Sequence, residues 1–140
     1  MTHIRVLVPL LLAIPMGCAP GMAADTQLSI DRQDGEIIIS IYPTSYLLIS
    51  NRIIDSAPVS GSDLTVEISG ADGIVRAPCA YVDGKAGANE VQLTPNKKVD
   101  IRVPIQILRN IYCIPPDNFT AAFILRYEGK EIRREIGIYD

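Results

Sequence analysis

The sequence predicts an all-β chain folded as an antiparallel β-sandwich, immunoglobulin-like or Greek-key, with about seven to eight strands and one disulfide. Three observations lead there. Apolar and polar residues alternate at period two through most of the chain after residue 25, and helical spacing is nearly absent. Turn residues punctuate that alternation about every 8–12 residues. Two cysteines, Cys79 and Cys113, remain as an even pair once the N-terminal segment is set aside. The 140 residues, 48% hydrophobic and 21% charged, suffice for one domain with a core and are too few for two.

Residues 1–24 (MTHIRVLVPLLLAIPMGCAPGMAA) hold Arg5, an apolar run from Val6 to Ile14 and then small residues. This is the layout of a cleaved export signal. The run is about half the roughly 20 residues that span a bilayer, so a signal is preferred to an anchor. Two processing routes compete. Signal peptidase would cut after Ala23 or Ala24. Alternatively, Gly17-Cys18 resembles a bacterial lipobox, with Cys18 lipidated, although Pro15 and Met16 replace its usual Leu and small residue. The expected division is therefore a leader over 1–24 and one sandwich domain over 25–140, periplasmic or secreted, or tethered to the outer membrane through Cys18.

The elements follow in order. Leu28 and Ile30 precede Asp34-Gly35, a hairpin dipeptide, and Glu36 to Tyr42 returns as a strand with Ile37, Ile39 and Ile41 on one face. Ile38 on the other face predicts cover on both sides, and the same run would be an aggregation liability if it lay at an edge. Tyr46 to Ile54 is extended, and Leu64, Val66 and Ile68 alternate cleanly before Gly70 and Asp72-Gly73. Ala77 to Val82 is expected as a short strand and Asp83 to Asn89 as a loop. Glu90 to Leu93 reaches a Thr94-Pro95-Asn96 turn, and alternation from Val99 to Ile107 reads as one strand, edge or bulged at Pro104. Arg109 to Asn118 reads as irregular. Phe119 to Tyr127 alternates to a Glu128-Gly129-Lys130 turn, and Ile132 to Tyr139 runs back.

The run Leu64–Ser69, the Leu93-Thr94-Pro95-Asn96 turn, the Val99–Ile107 segment, Tyr112 and Phe119–Tyr127 together resemble extracytoplasmic immunoglobulin-like modules. Modules of this kind occur beside secreted hydrolases, including deuterolysin-type metalloproteases. The resemblance covers roughly residues 60–139 and implies a sandwich fold and an accessory role. It carries over no catalytic residue, because the His-Glu-x-x-His motif is absent.

Composition excludes several functions. Removing the leader takes away His3 and Arg5, leaving 12 basic against 16 acidic residues and no histidine. Histidine-dependent triads and histidine-ligated metals then lack their key group. No nucleophile elbow, phosphate loop or dinucleotide fingerprint occurs. An acidic balance argues against nucleic acid. With no Trp, six Tyr and two Phe, stacking platforms for sugars or bases are not expected. No enzyme activity, cofactor or metal is anticipated. Asp72-Gly73 and Asp83-Gly84 read as turns rather than calcium ligands. Asn118-Phe119-Thr120 is a sequon relevant only to a eukaryotic secretory pathway.

In an oxidising compartment Cys79 and Cys113 are expected to pair, closing a loop worth about 3–4 kcal/mol. The segment Leu108–Asn118 (LRNIYCIPPDN) is the candidate interaction loop, with Arg109, Tyr112, Pro115 and Pro116 as contact residues. A disulfide-braced, proline-stiffened loop loses little entropy on docking, which suits a protein partner or a protease cleft. The alternative is that Tyr112 plugs the sandwich end and the prolines turn the chain. The expected function is a secreted or periplasmic non-enzymatic module that binds another protein. The alternatives are an envelope lipoprotein anchored through Cys18, which alone would involve a membrane, and a protease inhibitor using residues 108–118.

Overall fold

Asp34 and Gly35 both adopt positive φ, 49° and 79°. That is the signature of a type I′ turn, whose twist matches the strands it joins. It links β1 (Gln27–Gln33) to β2 (Glu36–Tyr42) as an antiparallel hairpin. The structure, a computed structural model, describes residues 25–53, 61–79 and 89–139. The leader, its Cys18 and the Asp83-Gly84 pair lie outside the described residues. After the hairpin come β3 (Leu47–Asn51), β4 (Asp63–Gly70), β5 (Val75–Arg76), β6 (Asn89–Leu93) and β7 (Val99–Pro104). Helix α1 (Ile105–Tyr112) follows, then β8 (Phe119–Tyr127) and β9 (Lys130–Ile138). Glu128 and Gly129, φ 48° and 73°, repeat the first turn's conformation between the last two strands.

The strands form two sheets, one ordered β1-β2-β7 and the other β6-β3-β4-β8-β9, with β5 added to β4. β2 pairs with β7 and β4 with β8, both antiparallel, although each pair is far apart in sequence. The chain crosses between sheets to make these pairs, which is the Greek-key character of a β-sandwich. One departure is local: β3 and β4 run parallel over Ser50–Asp63 and Asn51–Leu64. Inward positions of both sheets meet in one core. Ile37, Ile39 and Ile41 from one sheet and Ile49, Leu64, Ile68, Phe123 and Leu125 from the other are fully buried. Strand β2 is flanked on both sides by partners, so the isoleucine run is not an exposed edge.

Three expectations are corrected. The Val99–Ile107 alternation is not one strand: β7 stops at Pro104 and α1 begins at Ile105. Proline lacks the N–H a continuing ladder needs, and its φ of -60° suits the entry to a helix. The register is held across the junction by the Ile105 N–H, which donates to the Gly35 carbonyl at 3.0 Å. Second, the short strand is Val75–Arg76 rather than Ala77–Val82; residues 77–79 are not in a strand, and 80–82 lie outside the described residues. Third, Ile38 is only half-buried, because the outer face of the three-stranded sheet meets solvent.

That outer face is polar. Arg102 pairs with Glu36 at 3.1 Å, and the Ser40 hydroxyl donates to Asp100 at 2.7 Å. The Ser40 bond, with Lys98 beside it, holds the Asp100 carboxyl below the usual carboxylate range. On the outer face of the larger sheet, Ala122 and Ile124 are buried all the same. Arg133 lies directly across from Ile124 and Glu135 from Ala122. Arg133 bonds Glu67 at 2.8 Å and Glu135 at 3.1 Å, and Arg126 bonds Glu131 at 3.1 Å. Long charged side chains flanking such positions can shield apolar neighbours with their stems while their heads stay paired in water. The mixed charges near the last hairpin are thus ion pairs, formed within β9 and across strands, and not a basic patch.

Candidate functional site

Ile105, Leu108, Arg109 and Tyr112 fall at i, i+3, i+4 and i+7, which is one face of a helix. All four are buried on α1, as is Ile111. The helix closes the end of the sandwich, between β7 of one sheet and β8 of the other. Cys113 ends it in the left-handed conformation, φ 48° and ψ 43°. Its N–H and that of Ile114 both turn back to the Arg109 carbonyl. The reversal sends residues 114–118 back toward the start of β8.

Arg109 is 9% exposed. Its Nη1 donates to the carbonyls of Pro115 at 2.9 Å and Asp117 at 3.0 Å, and its guanidinium carbon stands 5.1 Å from the Phe119 ring centroid. One buried cation thus clamps the returning loop from inside, with a cation–π contact beneath it. Tyr112 is 6% exposed, and its hydroxyl donates to the Val66 carbonyl at a long 3.5 Å. Burial raises its phenol above the ordinary tyrosine range. These placements correct the expectation that Arg109 and Tyr112 present themselves to a partner. Both sit on the buried face of a helix where an irregular loop was expected.

What the loop does present is Pro115, Pro116, Asp117 and Asn118, all exposed. The disulfide forms between Cys79 and Cys113 with Cα atoms 6.0 Å apart, and the Cys79 N–H donates to the Ile111 carbonyl at 2.8 Å. It fastens the segment after β5 to the helix end. Beside the loop stands the β4–β5 turn. Asp72 Oδ1 accepts the Ile74 N–H at 3.0 Å and the carboxylate pairs with Arg76 at 3.8 Å, so Asp72 is occupied as a turn residue. Between turn and loop lies a depression of about 360 Å³ lined by Gly70, Asp72, Arg76, Ile114, Pro115 and Asn118, among others.

Ile74 and Val75, 64% and 56% exposed, crown the same turn and were not singled out in the sequence. Their signal was an apolar pair directly after Asp72-Gly73 with no alternating partner to carry it inward. Among the described residues, the surface at this end therefore combines two stiff prolines, two exposed β-branched residues and a disulfide. No protein family, curated protein or solved structure matches the chain.

Proposed function

We propose that this protein is an exported, non-enzymatic accessory module that binds another protein through the helix-capped end of its sandwich, beside a secreted hydrolase or envelope component. The observation that carries the reading is the rigid exposed rim formed by Pro115, Pro116, Ile74 and Val75. Arg109 and the Cys79–Cys113 bond hold that rim from below. A rim ordered before contact gives up little entropy on binding, and its apolar residues gain by leaving water. The disulfide is compatible with an oxidising extracytoplasmic compartment. No helix among the described residues is long and apolar enough to cross a membrane. A tethered version of the same module follows if Gly17-Cys18 is processed as a lipobox.

Photo-crosslinking in the native host tests the reading. A photoreactive side chain at Ile74 or Pro116 is expected to give one discrete protein adduct. The same group at Ser29, on the outer face of the three-stranded sheet, is expected to give none. Equal labelling from all three positions, or no adduct from the rim, would remove this end of the sandwich as the binding surface.

A further inference from the structure

The register of the six-stranded sheet places Val75, Ser69, Thr120 and Gly137 side by side in one row. Their chain neighbours Ile68, Phe119, Ala121 and Ile138 are buried, so the row faces outward. Adjacent strands lie about 4.8 Å apart, which puts the ends of this row about 14 Å from one another. From Val75 the floor carries only the small hydroxyl side chains of Ser69 and Thr120 before reaching Gly137 on the far strand. It is a low place in an otherwise crowded face.

Tyr139 forms its wall. The residue is 66% exposed, yet a Cβ at Gly137 would overlap its Cε2, Cζ and hydroxyl atoms. The ring therefore lies down over Gly137 rather than standing away from the strand, and a side chain at 137 would displace it. The Tyr139 carbonyl accepts a hydrogen bond from Arg32 at 3.0 Å, which fixes the backbone that carries the ring. Glu135 and Asn118 join Ser69, Thr120 and Tyr139 around a depression of about 400 Å³.

The chemistry of this trough narrows its occupant. The next row holds Glu67 and Glu135, which share the single guanidinium of Arg133. These carboxylates stand against Arg133 and against Arg32 at the Tyr139 carbonyl, so the trough carries no net positive charge to hold a phosphate or carboxylate ligand. Strands β4, β8 and β9 are laddered to one another, so the floor itself presents side chains rather than backbone, and the sheet's edge lies beyond it on the far side of β9. An aromatic face beside hydroxyl and carboxylate groups suits a ring with one C–H-rich face and several hydroxyls. The C–H face packs on the electron-rich tyrosine face. The hydroxyls exchange hydrogen bonds with Ser69, Thr120 and Glu135.

We infer that this trough is a subsite for a neutral saccharide, with Tyr139 as the stacking platform and Ser69, Thr120 and Glu135 as hydroxyl partners. It differs from the protein-binding rim in resting on Tyr139, Gly137, Thr120 and Glu135, and meets that rim at Val75 and Asn118. The test is amide NMR of the whole exported domain titrated separately with chitohexaose, cellohexaose and maltohexaose. At least one is expected to shift Ser69, Thr120, Gly137 and Tyr139 saturably, with millimolar affinity. Tyr139→Ala should weaken that binding about tenfold or more and Tyr139→Phe should retain it, both with unchanged melting because the ring is exposed. Absence of shifts with all three sugars, or shifts that survive Tyr139→Ala, would overturn the assignment. Saturable shifts at the same amides from an extended peptide, with no sugar response, would overturn it as well.

Discussion

Tyr112→Ala is expected to destabilise the fold by about 3–5 kcal/mol, as for other large aromatic truncations in a packed interior. The ring fills the sandwich end at a particular weak place. Strand β4 pairs with β3 at Asp63 and Leu64 and with β5 at Ile68 and Ser69. Between those pairings its edge has no strand partner among the described residues, and the Tyr112 hydroxyl meets the Val66 carbonyl there. Tyr112→Phe keeps the packing and loses that one long bond, so it should cost only about 0.5–1.5 kcal/mol. Urea unfolding of both variants checks the pair of values; equal, small losses would mean the ring plugs nothing.

The same burial sets a pH dependence. Because the folded phenol is raised above its unfolded value, its contribution is intact below the unfolded pKa and fades as pH climbs through the folded one. Tyr112→Phe should therefore lose less stability than the parent on going to alkaline pH.

Loss of the disulfide is the second large effect. Cys79 and Cys113 are 34 residues apart, and Cys79→Ser with Cys113→Ser should cost about 3–4 kcal/mol in the chain-entropy account. Position 113 allows a finer check. A side chain at φ 48° carries a steric cost that glycine avoids. Cys79→Ser with Cys113→Gly should thus recover about 1 kcal/mol relative to the double serine variant. Chemical denaturation of the three proteins decides the matter. A glycine variant less stable than the serine one would show that the left-handed residue is not what ends the helix.

Much of the fold was legible because the relevant signals are local. Asp34-Gly35 announces its hairpin because Asp and Gly accept consecutive positive φ, and Gly129 marks the last one, where Glu128 takes the same conformation without that preference. Leu64, Val66 and Ile68 announce β4 by alternation with polar neighbours. The helix was hidden by an accident of overlap. Val103, Ile105 and Ile107 continue a period of two across Pro104, while Ile105, Leu108, Arg109 and Tyr112 begin a period of 3.6 in the same residues. Pro104 was the signal that should have divided them.

The overlap of the two periods bears on the site as well. Arg109 reads as a surface charge in a loop and as an internal clamp only on a helix. Pro115 and Pro116 kept their exposure because they follow the helix. The parallel β3–β4 contact was beyond reach for another reason: alternation reports which face a residue occupies, not which strand lies beside it. Composition was similarly blind to Tyr139. A low aromatic count speaks against a row of platforms, yet one ring over one glycine needs only two residues.

Export into an oxidising compartment, as proposed above, is tested most directly by the intact mass of the protein from its native host, before and after reduction. A chain beginning at Ala24 or Asp25, lighter by two hydrogen atoms before reduction, is the predicted result. A chain that retains residues 1–24 with both Cys79 and Cys113 as free thiols would contradict it.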